Sequence, residues 1–541
     1  MKFGEKVTFK IEGVDKKGRG VGSVNGRPAL VPFAVPGEEV EAVLVKRRQG
    51  KLRFSLDRVV KPSPRRIGAR CRYAGTCGGC AWQQFDYGYQ LELKRGLVND
   101  ALEAAGIGRR IEAVVPAASI FDYRNRMDYC IGPNGELGLK EPGRWNACLD
   151  LEECHLLSPE SVEVMRRFRE YMRANGLEPW DAFRHTGYAR YLVIREGKNT
   201  GERMVTVVTS EGGLPASDAL VASLGGLATT VYHGVNPEIT DLSTASRLTI
   251  LSGQEFLHEK VAGKTFAIHP NSFFQTNTAM AETLVGTVRG FLADRPPAAL
   301  LDLYCGVGLF GICLADAATK VVGVEIDPDA IVMAKENASK NGVANAEYYA
   351  AKAESLVWEK ERPDAVIIDP PRAGLHPKVV KTLLERRPER IAYVSCNYES
   401  FAREWAALGT AYDLARIEAL DLFPHSPHVE LASLLTLKRK KAARMNRAVE
   451  AWERSVEVGG LGPLRTEEAE AEWRKENGVG RGGPHEQAEP VRGHVPGDRA
   501  AASDPRGAIP VLLVLREAVH DLRAQAVRFP THRRSGHRSP P

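Results

Sequence analysis

The first 60 residues alternate apolar and polar positions in short runs that glycines interrupt. The runs cover residues 6–11, 18–26, 29–33, 39–46 and 52–59. Alternation with a period of two, with turn signals at this spacing, predicts a small OB-like β-barrel over residues 1–60. On such a barrel, basic residues form a reasonable platform for nucleic acid. The basic residues here are Lys16, Lys17, Arg19, Arg27, Lys46, Arg47, Arg48, Lys51 and Arg53.

After a Pro-rich linker the pattern changes to mixed helix and strand. Residues 61–290 read as a central α/β region, with strand patterns at 188–195 and 204–209. Residues 291–438 alternate strand and helix patterns, and such alternation predicts a doubly wound, mostly parallel sheet. The strand patterns of this last region are 299–303, 321–325, 365–368, 391–394 and 431–437.

Residues 439–541 differ from the rest in composition. They are rich in Arg, Glu, Gly, Pro and Ala and have few periodic apolar runs. Such a segment buries too little apolar surface to offset chain entropy, so we predict a disordered tail.

Overall composition fits a globular, multidomain protein of the cytoplasm. The chain has 541 residues, of which 43% are hydrophobic and 26% charged. Its apolar runs fall short of the roughly 20 residues of a membrane helix, and its start lacks a signal-peptide core. Nine cysteines in a chain this long suggest metal binding or catalysis in a reducing compartment. The net charge of +6 permits nucleic-acid binding without requiring it.

One cluster of cysteines has the spacing of metal ligands. Cys71, Cys77 and Cys80 share a glycine-rich loop, and Cys154 follows much later in the chain. Three thiolates on one loop with a distant fourth suit a 4Fe-4S cluster, with tetrahedral zinc as the alternative occupant. Cys130 and Cys148 leave the choice of the fourth ligand open.

A glycine turn between a strand and a helix predicts a nucleotide-like site. Gly306, Gly308 and Gly311 fit both a methyl-donor loop and a dinucleotide fingerprint. Glu325 ends the next strand, where a carboxylate can accept bonds from ribose hydroxyls. An Asp-Pro-Pro turn begins at Asp369 and suits a base-modifying methyltransferase better than hydride transfer.

Two further residues suggest covalent catalysis. Cys396 stands at the end of an apolar strand pattern, and Glu430 follows a loop rich in proline and histidine. A thiol with an acid that can move protons is an arrangement for nucleophilic catalysis. Taken alone, each residue also fits a purely structural role.

Together these motifs resemble the RNA uracil-5-methyltransferase family, with the closest likeness to its 23S rRNA enzymes. The resemblance covers roughly residues 1–438 and includes the Phe-Phe-Gln-Thr-Asn string that ends at Asn277, as well as Ser395-Cys-Asn397. It implies a TRAM-like barrel at residues 1–60, a central region with an iron–sulfur segment, and a Rossmann-like domain at 291–438 that uses S-adenosylmethionine. One departure is Tyr398, where the family usually has proline.

The resemblance also implies residue roles. Four residues would contact S-adenosylmethionine: Gln275, Tyr304, Glu325 and Asp369. Cys396 would be the nucleophile and Glu430 the base. A 4Fe-4S cluster would be held by Cys71, Cys77, Cys80 and Cys154. The enzyme would add the thiolate to C6 of uracil, methylate C5 and then remove the C5 proton.

The predicted substrate is 23S rRNA, with the T-loop of transfer RNA as the alternative. The target base must leave its stack to react, which requires a surface that binds RNA. We expect a monomer. Two other functions would use part of the pattern: an iron–sulfur oxidoreductase with a dinucleotide, and a non-catalytic RNA-binding protein. Both leave Cys396 or the crevice motifs without a role.

Overall fold

The computed structural model describes residues 1–144, 146–354 and 362–438. The predicted tail at 439–541 lies outside these residues. The strands are β1 (Lys6–Lys10), β2 (Gly13–Val14), β3 (Gly20–Val24), β4 (Arg27–Val31), β5 (Glu39–Arg48), β6 (Lys51–Lys61), β7 (Val114–Val115), β8 (Arg126–Ile131), β9 (Leu137–Lys140), β10 (Cys148–Asp150), β11 (Ala189–Glu196), β12 (Arg203–Thr209), β13 (Thr230–Val235), β14 (Arg247–Ser252), β15 (Leu257–Val261), β16 (Lys264–Ile268), β17 (Ala299–Leu303), β18 (Lys320–Glu325), β19 (Ala346–Ala350), β20 (Ala365–Ile368), β21 (Arg390–Ser395), β22 (Tyr412–Leu420) and β23 (Glu430–Leu437). The helices are α1 (Tyr87–Ala104), α2 (Pro159–Ala174), α3 (Ser217–Ser223), α4 (Thr278–Leu292), α5 (Leu309–Cys313), α6 (Pro328–Lys340), α7 (Pro377–Arg386) and α8 (Tyr398–Leu408), with a 3-10 turn at Ala315–Ala317.

The N-terminal strands form one six-stranded sheet in the order β1-β5-β6-β4-β3-β2. Each strand turns its apolar positions inward, so Phe9, Leu44 and Phe54 share one buried cluster. The sheet curls around this cluster, as the alternating pattern predicts. Within this described segment the strand ladder ends at β1 and β2, so closure into a barrel stays a prediction.

The central region contains a seven-stranded sheet in the order β10-β9-β8-β11-β12-β13-β14. Every residue of β11 is buried. Helix α2 lies against this sheet, and its buried positions Val164, Met165 and Phe168 repeat at helical spacing. The sheet is mixed, because β12 and β13 run parallel while the other neighbours are antiparallel.

The third sheet has eight strands in the order β19-β18-β17-β20-β21-β23-β22-β7. The five strands from β19 to β21 are parallel, and β23 reverses direction beside β21. Strand β20 is apolar and buried throughout, as expected for a parallel strand covered on both faces. The predicted doubly wound, mostly parallel sheet is therefore confirmed for this region.

An early piece of the chain belongs to this late sheet. Strand β7 pairs in parallel with β22, where Val115 faces Leu420. Helix α1 packs against the same core through Val98 and Leu102. Asn99 ties the helix to the segment before β7 by accepting from the Ile111 N–H at 2.9 Å. Among the described residues, no helix is long and apolar enough to cross a membrane.

Candidate active site

The glycine loop after β17 opens the first side of a crevice at the carboxyl ends of β17, β18, β20 and β21. Gly306 and Gly308 have φ values of 52° and 90°, which favour glycine. A Cβ at Gly308 would lie 2.9 Å from Ile312 Cδ1, so a side chain there would have to displace that methyl group. Tyr304, immediately after the strand, also has a positive φ of 63°. The backbone is thus open to a ligand at this turn.

Asp302 lies beneath the glycine loop and is fully buried. Its Oδ2 accepts a hydrogen bond from the Gly311 N–H at 2.8 Å, while Oδ1 has no hydrogen-bond partner. Burial, with smaller contributions from Asp369 and Glu325, raises the pKa of Asp302 to about 7. Sequence reasoning included this residue in the glycine-loop motif but gave it no role, although a charged residue inside an apolar strand was a visible signal.

Glu325 occupies the end of β18 next to the same loop. Its Oε2 accepts from the Gly306 N–H at 3.3 Å, and its Oε1 accepts from the Ile326 N–H at 2.7 Å. These bonds fix the carboxylate at the crevice edge. An acid held there is suited to accept bonds from ribose hydroxyls.

Asp369 follows β20 and faces Gln275. The Gln275 Nε2 donates to Asp369 Oδ2 at 3.1 Å. Burial raises the pKa of Asp369 to about 7, and this hydrogen bond opposes the rise. Asn125 fixes the glutamine segment in turn, since its Nδ2 donates to the Gln275 carbonyl at 2.8 Å and to Thr278 Oγ1 at 3.0 Å. The structure thus brings both predicted residues to one point of the crevice.

Cys396 comes directly after β21 and is partly buried. The next residue, Asn397, is the N-cap of α8 and accepts from the Glu399 N–H. The Asn397 Nδ2 donates to the Arg372 carbonyl at 3.1 Å, which joins the thiol loop to the Asp-Pro-Pro turn. Burial, then the nearby Glu430 and Asp369, raises the pKa of Cys396 to about 12.

Tyr398 takes the first position of α8, where the family usually has proline. Proline suits this position because its missing N–H would have no intrahelical partner. The Asn397 cap starts the helix here without it, and the Tyr398 side chain is buried. The departure from the family pattern is therefore accommodated without disrupting the helix start beside Cys396.

Glu430 begins β23, one step past the last paired residues of β21 and β23. Strands β21 and β23 are antiparallel with Ser395 facing Leu431, so the adjoining residues Cys396 and Glu430 are neighbours. Glu430 is 3% exposed and its Oε1 has no hydrogen-bond partner. Burial and the charge of Asp369 raise its pKa well above the usual range, and Arg372 opposes the rise.

Arg372 supplies a positive charge to this pair. It lowers the pKa values of both Cys396 and Glu430, in each case against the larger effect of burial. Its guanidinium lies 3.0 Å from Nδ1 of His428. Burial, with a contribution from Arg372, lowers the pKa of His428 to about 4, so the ring is neutral near pH 7.

The four predicted cysteine ligands line one cavity, which we call the cysteine cavity. Cys71, Cys77, Cys80 and Cys154 surround a space of about 20 Å³. Cys130 and Cys148 instead face each other, with Sγ atoms 3.0 Å apart. Burial raises the pKa of Cys77 to about 11 and that of Cys80 to about 12.

The cysteine cavity offers four thiol groups. Over the described ranges, no group of three or more His, Cys, Asp or Glu side chains is arranged so that it could hold a metal ion. The donors are all soft thiol ligands, which suit iron–sulfur clusters. The loop also packs tightly, since a Cβ at Gly78 would lie 2.5 Å from the Lys140 carbonyl oxygen.

The doubly wound sheet, its glycine loop and the acid after its second strand define a class I S-adenosylmethionine-dependent methyltransferase. The sequence profile of the family described as tRNA (Uracil-5-)-methyltransferase matches residues 236–439. The tRNA (uracil(54)-C(5))-methyltransferase of Pyrococcus furiosus is 40% identical over 407 residues, covering 75% of this chain and 94% of that protein. The chain therefore belongs to the RNA uracil-5-methyltransferase family.

Two further relatives agree. The enzyme of the same name from Pyrococcus horikoshii is 40% identical over 406 residues, covering 75% of this chain and 95% of that protein. The crystal structure of Pyrococcus abyssi tRNA (uracil-54, C5)-methyltransferase in complex with S-adenosyl-L-homocysteine superimposes with a TM-score of 0.67 at 36% identity. That alignment covers 79% of this chain and 99% of that one. The prediction of an S-adenosylmethionine-dependent enzyme acting on RNA uracil is thus confirmed.

Proposed function

We propose that Cys396 is the nucleophile and Glu430 the base of uracil C5 methylation. The observation that carries this proposal is their position as neighbours across β21 and β23. C5 of uracil is a weak nucleophile until a thiolate adds to C6. Once C5 carries the methyl group, its proton passes to the Glu430 carboxylate, the C5–C6 double bond reforms and the C6–S bond breaks.

The charges around Cys396 support the order of these steps. A thiol with a pKa near 12 is protonated at neutral pH, so it must ionise before it attacks. Arg372 is placed to stabilise the thiolate that results. Glu430 is a strong base for the last step because its pKa is raised by burial, and it must first lose its own proton.

In this proposal, S-adenosylmethionine is held by four residues of the crevice: Tyr304, Glu325, Asp369 and Gln275. Bound S-adenosylmethionine would supply an electrophilic methyl group. The Glu325 carboxylate would accept from ribose hydroxyls. The Asp369–Gln275 pair would hold polar atoms of the ligand, and Tyr304 would cover it at the glycine loop. Their convergence at one crevice supports these roles.

A covalent trap tests the proposed catalytic pair. RNA containing 5-fluorouridine should form an adduct with the enzyme and S-adenosylmethionine that survives denaturation, because fluorine cannot leave C5 as a proton does. Cys396→Ala should form no adduct and lose measurable turnover. An adduct that persists in Cys396→Ala would contradict the assignment, whereas intact binding of S-adenosylmethionine by that variant shows that its fold is preserved.

For the RNA we propose a transfer RNA T-loop uridine. The sequence prediction placed 23S rRNA first, but the Pyrococcus relatives at 40% identity act, by their names, on uracil 54 of transfer RNA. Lys46, Arg47 and Arg48 are exposed at the end of β5, where they would meet RNA phosphates. Unmodified transfer RNA and 23S rRNA fragments should be assayed side by side with labelled S-adenosylmethionine. Labelling confined to 23S rRNA would overturn this choice and restore the first prediction.

We further propose that the cysteine cavity holds a 4Fe-4S cluster. Four thiols around one cavity support it, and the family resemblance points to the same group. Cluster ligation would deprotonate thiols whose pKa values are otherwise high. Protein purified without oxygen should contain about four iron and four sulfide per chain. Stoichiometric zinc without sulfide would favour the zinc alternative.

A further inference from the structure

The loop that carries Glu430 is held in place by a buried lysine. This base loop comprises residues 421–429, between β22 and β23. Lys94 of α1 donates from Nζ to Asp421 Oδ1 at 2.5 Å and to the Phe423 carbonyl at 3.0 Å. Neither side chain of the Lys94–Asp421 pair is exposed. The Lys94 ammonium thus bonds the start of the loop at two residues, Asp421 and Phe423.

Two more side chains of α1 hold the same loop. Tyr87 donates to Asp421 Oδ2 at 3.1 Å. Gln90 accepts from the His425 N–H at 2.9 Å, in the middle of the loop. Residues 87, 90 and 94 are three and four apart, so they share one face of the helix. That face therefore contributes three side chains that bond the base loop.

The middle and the last part of the loop are also held from another direction. The Trp82 N–H of the backbone donates to the His425 carbonyl at 2.9 Å. Trp82 Nε1 donates to the Gly18 carbonyl at 2.8 Å, and a Cβ at Gly18 would lie 3.1 Å from Pro427 Cγ. Pro427 is three residues before the base. The loop is thus bonded or packed along its whole length.

Folding stability alone does not explain an ion pair at this position. Removing two charges from water costs about as much as their attraction returns, and an apolar pair of similar size is often as stable. A hydrogen-bonded ion pair has a defined geometry, so it fixes the distance and the angle between α1 and the base loop. The pairing of β23 with β21 and β22 fixes the Glu430 backbone, but its side-chain Oε1 has no hydrogen-bond partner, so the loop before it bears on where the carboxylate lies.

We propose that Lys94 is a positioning residue for Glu430, assisted by Tyr87 and Gln90, and that it serves the proton-removal step. This inference rests on the proposed roles of Cys396 and Glu430. A displaced carboxylate slows transfer of the C5 proton, while thiol addition and methyl transfer proceed. The methylated base then stays bonded to Cys396, because elimination needs that proton to leave.

The test is a double variant, Lys94→Met with Asp421→Asn, which removes both charges and preserves size. On ordinary RNA its turnover should fall about tenfold to a hundredfold, the scale of a misplaced catalytic group. A denaturation-stable methylated adduct should accumulate at the same time. Adduct formation on 5-fluorouridine RNA, which does not need the base, should stay within about threefold of wild type. Tyr87→Phe should show the same pattern more weakly, so the proposal stays testable if the double variant does not fold.

A matched control is Glu196→Gln with Lys198→Met, another pair with a buried carboxylate, in the central region. It should lower thermal stability without any stalled adduct. Slow turnover without adduct, or an equal adduct in the control, would overturn the positioning role. Unchanged turnover of a folded double variant would overturn it too. If wild type itself forms no adduct on 5-fluorouridine RNA, the proposed catalytic pair fails first and this inference falls with it.

Discussion

The methyl-transfer crevice and the cysteine cavity both bury several ionisable side chains, but they are built differently. The crevice groups stand at strand ends of one sheet: Asp369 after β20, Cys396 after β21 and Glu430 at the start of β23. The loop bearing Cys71, Cys77 and Cys80 contains only turns and bends. The sheet preforms the first site, whereas the second would depend on the proposed cluster. Losses at the crevice should therefore affect chemistry, and losses at the cavity should affect stability.

Glu430→Gln provides the largest expected effect on the crevice side. Turnover should fall by about 10²- to 10⁴-fold, the usual contribution of a general base. Methyl transfer should still occur, so a covalent adduct should build up on ordinary RNA and be visible on a denaturing gel. Thermal stability should hold or rise, since an unpartnered buried acid is removed. If the variant instead melts at a clearly lower temperature than wild type, its loss of activity would reflect loss of fold, and the contrast between the two sites would be wrong.

Cys77→Ser probes the cavity side. On the proposal that the cavity holds a 4Fe-4S cluster, the variant should lose bound iron and melt at a lower temperature, because cluster binding would contribute to the folding free energy. Its affinity for S-adenosylmethionine should stay within about threefold of wild type, since the crevice is built by another sheet. Cys130→Ser is the matched control: it is equally buried but faces Cys148. Equal iron loss in both variants would mean that the ligand set is wrong.

The pH dependence sharpens the description of the thiol. Because the pKa of Cys396 is about 12, the rate of adduct formation on 5-fluorouridine RNA should rise with pH across the range 7–9. Arg372→Gln removes a charge that lowers this pKa, so the rate should drop about tenfold at each pH. Raising the pH should restore part of it. A rate independent of pH would show that ionisation of the thiol is not limiting.

Asp302→Asn should give the smallest effect. The pKa of Asp302 is raised to about 7, so stability associated with its protonated form is present below its usual pKa and is lost as pH rises towards 7. Asparagine resembles the protonated form, and the variant should melt a few degrees above wild type at pH 8 but not at pH 4. Asp316→Asn, at an exposed acid paired with Arg289, should show no such gain. Equal melting temperatures at pH 8 would contradict the buried charge.

Patterns within short stretches of sequence correctly predicted those elements whose formation depends mainly on residues close together in the chain. Strands 299–303 and 365–368 agree with β17 and β20 to the residue, because a continuous apolar run bounded by turns is a strong signal for a buried parallel strand. The spacing of the cysteines along the chain also singled out the four that line the cavity. Their joint cavity still required the fold, which brings Cys154 to a loop more than 70 residues earlier.

The residues that sequence reasoning missed depend on long-range contacts. Lys94 lies in an ordinary helix pattern, and its partner Asp421 is 327 residues away. Strand β7 has two residues, too few for a period to be read, and it exists because β22 offers an open edge. Arg372 was visible only as part of a motif, and its effect on Cys396 follows from the turn that places it. The partners in these contacts are too far apart in the sequence for any short stretch of the chain to contain both.

The reversed strand β23 sets the order in which the enzyme can assemble during synthesis. It lies between β21 and β22, yet it is the last strand of the sheet to be made. Strand β7, made some 300 residues earlier, can pair only after β22 has been made. The N-terminal sheet can fold as soon as residue 61 is free, as domains commonly do on the ribosome. The proposed catalytic pair, by contrast, is complete only when β23 has been made, so a product truncated before Glu430 lacks the proposed base.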